Sequence, residues 1–363
     1  MEILKQAFEK PEQQKDSSLL GQLFSLPIIR GFYKDEKPAI DVKLDGNKYE
    51  KRRMVSLINK IANNSPTGRR ILEEAAKAGY SFGFEYQQGS YGFCSAEPKV
   101  ICLNPKTEDS TLVATLVHEA RHAQQHMHGV PFSFCTFDVA TELKLRRAME
   151  ADAQAASAQA ALEIRASTKN EAVWKRFEKT SGNIAKDIEK PAISASLDSV
   201  IANIEKNMQA AFKGWFKNWR TVDAYEQSYL YSHLFKADKF SEPKKAVAYF
   251  AEKPFEGSMS SADVLKTICT TDKGKCYFAN DLDIMDREAA MCGICQDTRE
   301  AADTFFKERV KVTGKAPDES YKNLPSRGNL FENLRIIAFS RPGKTSDFSI
   351  KMKLLSLKKH RDR

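Results

Sequence analysis

Histidine is scarce in this chain, six in 363 residues, and long hydrophobic runs are absent. No apolar stretch approaches the ~20 residues needed to cross a bilayer, so no membrane span is expected. The stretch from Met1 to Lys15 is polar and charged and lacks the apolar core of a signal peptide. Export through a cleaved leader is therefore not expected, and the expected location is the cytoplasm, or outside the cell by way of a specialised secretion system. Seven cysteines in such a chain favour reduced thiols over a disulfide framework. No internal repeat is present. A hydrophobic content of 42% with 29% charged residues excludes both a disordered chain and a membrane protein and leaves a globular one. The formal charge of +9 is spread along the sequence except in the tail. There Lys351, Lys353, Lys358, Lys359, Arg361 and Arg363 stand against one acid, Asp362. Such a tail is either a solvated end, a weak polyanion contact or an export signal.

The scarcity of histidine makes its placement informative. Four of the six fall in residues 118–128, His-Glu-Ala-Arg-His-Ala-Gln-Gln-His-Met-His, which open with HExxH: His118, Glu119 and His122. On a helix, positions i and i+4 lie one above the other, so two imidazoles at this spacing can bind one metal ion. Glu119, next to the first histidine, can then act on a metal-bound water; this is the zinc metalloprotease signature. The segment before it reads as a helix start. Asp109 or Ser110 can cap the first turn, and Leu112, Val113, Leu116 and Val117 have helical apolar spacing. Gly129 and Pro131 offer a stop.

A catalytic zinc takes three protein ligands and keeps one position for water. The third ligand is expected from the next helical stretch, Leu145 to Ala156, where Glu150 and Asp152 lie among alanines. Small side chains let a second helix approach closely enough to deliver a carboxylate. Glu150 is the first choice. Asp152 is the alternative ligand, or an acceptor for a ligating histidine N–H, because residues two apart point to different sides of a helix. His126 continues the His118–His122 face one turn too far for a tetrahedral site and reads as a pocket-rim or supporting residue. Before the helix, Val100, Ile101, Cys102 and Leu103 form a short β-rich run closed by Asn104-Pro105. As an edge strand it would bind extended substrate through backbone hydrogen bonds. The run Tyr80 to Tyr86 reads as its partner, with Gln87 to Ala96 as the intervening loop.

The strand Ile101-Cys102-Leu103-Asn104-Pro105, then Leu116-Val117-His118-Glu119-Ala120-Arg121-His122-Ala123-Gln124-Gln125, then Glu150-Ala151-Asp152-Ala153, resembles the minimal zincin metallopeptidases with a glutamate third ligand. More narrowly, the chain is similar to an uncharacterised bacterial metallopeptidase family from about Gly68 to Phe235. The later part is carried by Ala211 to Phe216 and by Asp223-Ala224-Tyr225-Glu226. The resemblance implies an α+β zincin fold: a small mixed or antiparallel sheet, an active-site helix and a mostly helical C-terminal extension. It implies His118, His122 and Glu150 as zinc ligands and Glu119 as general base. It also makes Tyr225 the candidate oxyanion donor, ahead of Arg121 and Tyr229. The helix of Glu150 lacks the longer acidic signature of the best-known glutamate zincins, so Asp152 stays beside it as the alternative.

Four parts are expected along the chain. Residues 1–50 form a partly flexible lead, and 51–165 the zincin-like core. Residues 166–240 form a helical part whose Trp174, Phe177, Phe212, Trp215, Phe216 and Trp219 pack on that core, and 241–363 hold the basic tail and a cysteine cluster. Cys269, Cys276, Cys292 and Cys295 could hold a structural zinc, although six residues separate the first pair. Two function classes follow. One is a zinc endopeptidase acting on a protein or peptide, as a bacterial secreted effector. The other is a catalytically silent zincin-like binding protein that works through its basic and aromatic surface.

Overall fold

The computed structural model describes residues 33–131, 137–188, 194–238, 257–271, 273–300, 302–303 and 319–327. Cys135, the lead before residue 33 and the basic tail lie outside these residues. The fold is mixed α+β, a four-stranded mixed sheet among many helices. No described helix is long and apolar enough to cross a membrane.

Strand β1 (Lys43–Leu44) leads into helix α1 (Lys48–Ala62). Asn47 caps α1 by accepting from the Tyr49 and Glu50 N–H groups while Glu50 reaches back to the Asn47 N–H, a complete capping box. Helix α2 (Pro66–Lys77) starts on a proline, which costs nothing at a position whose N–H has no helical partner. Buried Glu163 anchors that start by accepting from Ser65 Oγ, Thr67 Oγ1 and the Thr67 N–H.

Strands β2 (Ser81–Phe84), β3 (Gly92–Ala96) and β4 (Lys99–Leu103) follow. The sheet order is β1-β2-β4-β3, with β1, β2 and β4 parallel and β3 antiparallel to β4. Two expectations change here. The segment Gln87 to Ala96 is only partly loop, since β3 lies within it. Val100, Ile101, Cys102 and Leu103 do not form an edge: β4 is bonded by β2 on one side and β3 on the other. Their backbone groups are already satisfied, so they cannot bind an extended peptide. The edge strands are β1 and β3, and β3 is the one next to β4. Gly92 opens β3 where space is short: a Cβ there would lie 2.8 Å from the Cys102 carbonyl oxygen and 3.0 Å from Thr115 Cγ2.

Helix α3 (Asp109–Met127) carries HExxH. Leu112, Val113, Leu116, Val117, Ala120 and Ala123 are all buried and seat it on the core. The cap differs from expectation: Glu108 is the N-cap and makes no side-chain cap bond. Asp109 instead pairs with Arg53 at 2.8 Å and accepts from Tyr33 Oη. The helix ends at His128, followed by Gly129 at φ +93°, where a side chain would be strained.

Helix α4 (Val139–Thr168) is 30 residues long and runs through the boundary expected near residue 165. It packs most extensively on α3 and on α8 (Ile204–Phe216). Between them, in chain order, come α5 (Ala172–Thr180), α6 (Gly182–Asp187) and α7 (Leu197–Ala202). After α8 comes α9 (Trp219–Asp238). Trp174, Phe177, Phe212, Trp215 and Phe216 are buried in the same hydrophobic cluster as α1, α3 and the sheet.

Candidate metal centre

Helices α3 and α4 meet at a row of small residues. Ala151 is fully buried there, flanked by Glu150 and Asp152. Successive helical residues are rotated by about 100°, so the two acids straddle Ala151 and pass on opposite sides of the contact. Glu150 reaches the His118–His122 stripe of α3; Asp152 reaches the neighbouring Arg121–Gln125 stripe.

His118 Nε2 lies 3.4 Å from Glu150 Oε2, and His122 Nε2 lies 3.6 Å from Glu150 Oε1. The two Nε2 atoms are 3.1 Å apart, and all three donor atoms fall within 4.8 Å of one another. Burial works against charge on Glu150, but His122, His118 and Tyr225 outweigh it and bring its pKa down to about 2. The carboxylate is therefore ionised at neutral pH.

The tautomer of His122 follows from its surroundings. Gln125 Nε2 donates to the Met149 carbonyl at 3.0 Å and to Asp152 Oδ2 at 2.7 Å, so its Oε1 must accept. His122 Nδ1–H donates to that Oε1 at 2.9 Å, and the His122 Nε2 lone pair faces His118 and Glu150. Buried His118 Nδ1 has no hydrogen-bond partner. Two imidazole nitrogens and a carboxylate converging this closely form a donor set that could hold a metal ion.

Glu119 is buried, 8% exposed, and its carboxyl is pushed up to about 7 by burial; His122 pulls it down and Glu150 pushes it further up. It lines a cleft of about 260 Å³ with His118, Tyr91, Gly92, Thr115 and Tyr225. Tyr225 and Tyr229 come from α9 onto Glu150. Tyr229 Oη donates to Glu150 Oε1 at 3.2 Å, and Tyr225 also hydrogen-bonds that carboxylate. Glu150, burial and Glu119 hold the Tyr225 hydroxyl far above its usual range, so it remains a donor.

What sets α9 was not foreseen. Arg147, one turn before Glu150 on α4, bonds Glu226 Oε1 at 2.6 Å, and Arg327 bonds Glu226 at 2.5 Å and Asp223 at 2.6 Å. Asp223, Glu226 and Cys295 are close enough to suggest a metal, but the two guanidinium groups already balance the two carboxylates. The sequence signal is an i, i+3 offset, Arg147 to Glu150 on one helix answered by Glu226 to Tyr229 on the other.

Other expected residues lie elsewhere. Asp152 is fully buried and engaged by Arg121, Gln125 and Tyr277, whose hydroxyl donates to it at 2.9 Å. It thus reaches His122 through Gln125 rather than directly. Arg121 also donates to the Ile268 and Thr270 carbonyls and cannot serve as an oxyanion donor. The cysteines give a further correction. Cys269, Cys276, Cys292 and Cys295 form no disulfide, and among the described residues the four do not converge on one another as a metal-holding group. Cys269 neighbours Tyr277, while Cys295 Sγ sits 3.0 Å from Thr298 Oγ1, so each is committed to its own surroundings.

His126 stays off the centre, with its Nδ1–H donating to the Val130 carbonyl at 2.9 Å. Burial, helped by His122 and Arg146, pushes its pKa down to about 4. A histidine held neutral in the fold stabilises fully above its unfolded value, and that stability is lost as pH falls from about 6.5 toward 4. The thermal midpoint is therefore expected to drop between pH 7 and 5, with a shallower slope in His126→Gln; equal slopes in calorimetry would remove His126 from the acid response.

Residues 33–278 match the family described as "Putative metallopeptidase family (DUF6782)". The chain belongs to that family, and the match extends on both sides of the segment whose motifs first suggested it. No curated protein and no solved structure matches the chain.

Proposed function

We propose that this protein is a zinc-dependent metalloendopeptidase with a zincin-like core, in which His118, His122 and Glu150 hold the metal. The observation that carries this is the convergence of those three donors beside buried Glu119 at the wall of a cleft. Zinc bound there would polarise a peptide carbonyl and acidify a water. Glu119, with its carboxyl raised to about 7, is poised near neutrality to take the water proton and pass it to the leaving amine. Tyr225 lines the cleft and keeps its proton; once Glu150 is taken up by a metal, the Tyr225 hydroxyl would be released to donate to the developing oxyanion. Gln125, held by Asp152, fixes the orientation of His122. An extended protein or peptide substrate would lie along β3, the free edge beside the cleft, rather than along β4.

Elemental mass spectrometry tests the metal assignment. Wild type should carry about one zinc per chain, lost in His118→Ala and Glu150→Ala. Wild type that takes up no zinc after purification and reloading would overturn the peptidase reading and favour a catalytically silent binding protein.

A further inference from the structure

The cleft contains one cation that the proposed chemistry does not use. Arg176 of α5 lines the cleft together with hydroxyl-bearing Thr111, Ser110 and Thr180, and with Gly92 of the β3 edge. Its side chain is 27% exposed and held through one atom: Nε donates to Thr111 Oγ1 at 2.7 Å and pairs with Glu108 Oε1 at 2.5 Å. Neither Nη group has a partner among the described residues. A guanidinium gripped through Nε presents its two Nη groups as a planar fork, the geometry that matches a carboxylate.

We infer that Arg176 is a specificity-determining residue that binds a carboxylate of the substrate a short distance from the cleaved bond. The inference rests on the peptidase reading. Thr111 and His118 are seven residues apart on α3, about 10 Å along the helix axis. A peptide on the β3 edge covers that span with about three extended residues, at about 3.3 Å each. The carboxylate therefore belongs to a residue two or three positions from the scissile bond. It is either an acidic side chain or the chain end of a short peptide. Ser110, Thr111, Thr180 and Ser181 put hydroxyl groups into the cleft beside Arg176, which suits Asp, Glu or a terminus. Tyr91, 48% exposed, stands at the mouth where a neighbouring substrate residue would pass.

The test separates binding from turnover. Zinc-loaded, full-length Glu119→Gln protein is immobilised and exposed to a degenerate peptide library with blocked termini, and to the same library with free C-termini. Retained peptides are sequenced. Enrichment of Asp or Glu at one position in the blocked library identifies a side-chain carboxylate; enrichment only with free C-termini identifies a chain end. In either case acidic peptides should be favoured about tenfold or more, as expected for one charge-assisted hydrogen-bonded pair. In Glu119→Gln/Arg176→Gln the preference should disappear, and Arg176→Glu should reverse it toward Lys and Arg. Equal retention of acidic and neutral peptides, or an acidic preference that survives Arg176→Gln, overturns the inference. Cleavage of the library by wild type is scored separately. An acidic preference in binding without cleavage would sink the peptidase reading and leave the carboxylate subsite standing.

Discussion

Glu119→Gln is expected to lower peptide cleavage by about 10²–10⁴-fold while the protein keeps its zinc and its fold. Glutamine matches the size of the side chain but cannot accept and release a proton at neutral pH. Zinc retention is expected on the proposed ligand set, because the group that could hold a metal is His118, His122 and Glu150, without Glu119. The effect on stability should run the other way from the effect on activity. Burial raises the Glu119 carboxyl to about 7, so the fold favours its protonated form and loses stability as pH rises from about 4.5 through 7. A neutral glutamine removes that loss. Above pH 7 the metal-free variant should therefore melt at a higher temperature than metal-free wild type, the direction expected when a buried carboxylate is replaced by a neutral group. The check is paired: cleavage of an unfolded protein substrate by zinc-loaded enzyme, and calorimetry of the metal-free forms. Undiminished cleavage would place the base elsewhere, and loss of zinc would make Glu119 a ligand.

Helix α3 and its motif were legible because local periodicity and the i, i+4 histidines agree. So was the helix that brings Glu150, since a run of alanines has few uses other than close helix packing. The aromatics of α5 and α8 read correctly as core because their spacing is helical and their side chains are too large to leave exposed. What could not be read depends on distant pairing. Strand β3 is half-buried along its whole length, so Gly92 to Ala96 shows no alternation and passes for loop. Its existence, and hence the interior place of β4, is decided by register with Val100–Leu103. The cysteine cluster looked compact because two of its members form CxxC, but Cys269 and Cys276 are held by the Asp152–Tyr277 neighbourhood and Cys295 by Thr298. Asp152 read as a rival ligand for the same reason: its partners Arg121 and Tyr277 come from 31 positions before it and 125 after.

Asp152→Asn should separate that rival reading from the structure, with a large loss of stability and a smaller loss of metal affinity. Asp152 and Arg121 are 0% and 2% exposed and lie 2.7 Å apart. Removing one partner of such a pair leaves a buried guanidinium uncompensated and costs about 3–5 kcal/mol, more than the pair itself contributes over an apolar replacement. Tyr277 and Gln125 lose an ionised acceptor at the same time. The metal effect travels through Gln125. Without the Asp152 carboxylate its amide is free to turn, His122 loses its fixed acceptor, and zinc affinity should fall by about 10–100-fold. The ligands themselves remain, so saturating zinc should still give about one equivalent per chain and raise the thermal midpoint by mass action. Gln125→Met isolates the relay from the ion pair: it should reproduce the affinity loss at a small fraction of the stability loss, because Arg121 keeps its carboxylate. Denaturant titration and a zinc-chelator competition assay read the two quantities independently. A folded Asp152→Asn protein that takes up no zinc at saturation would make Asp152 the third ligand and displace Glu150.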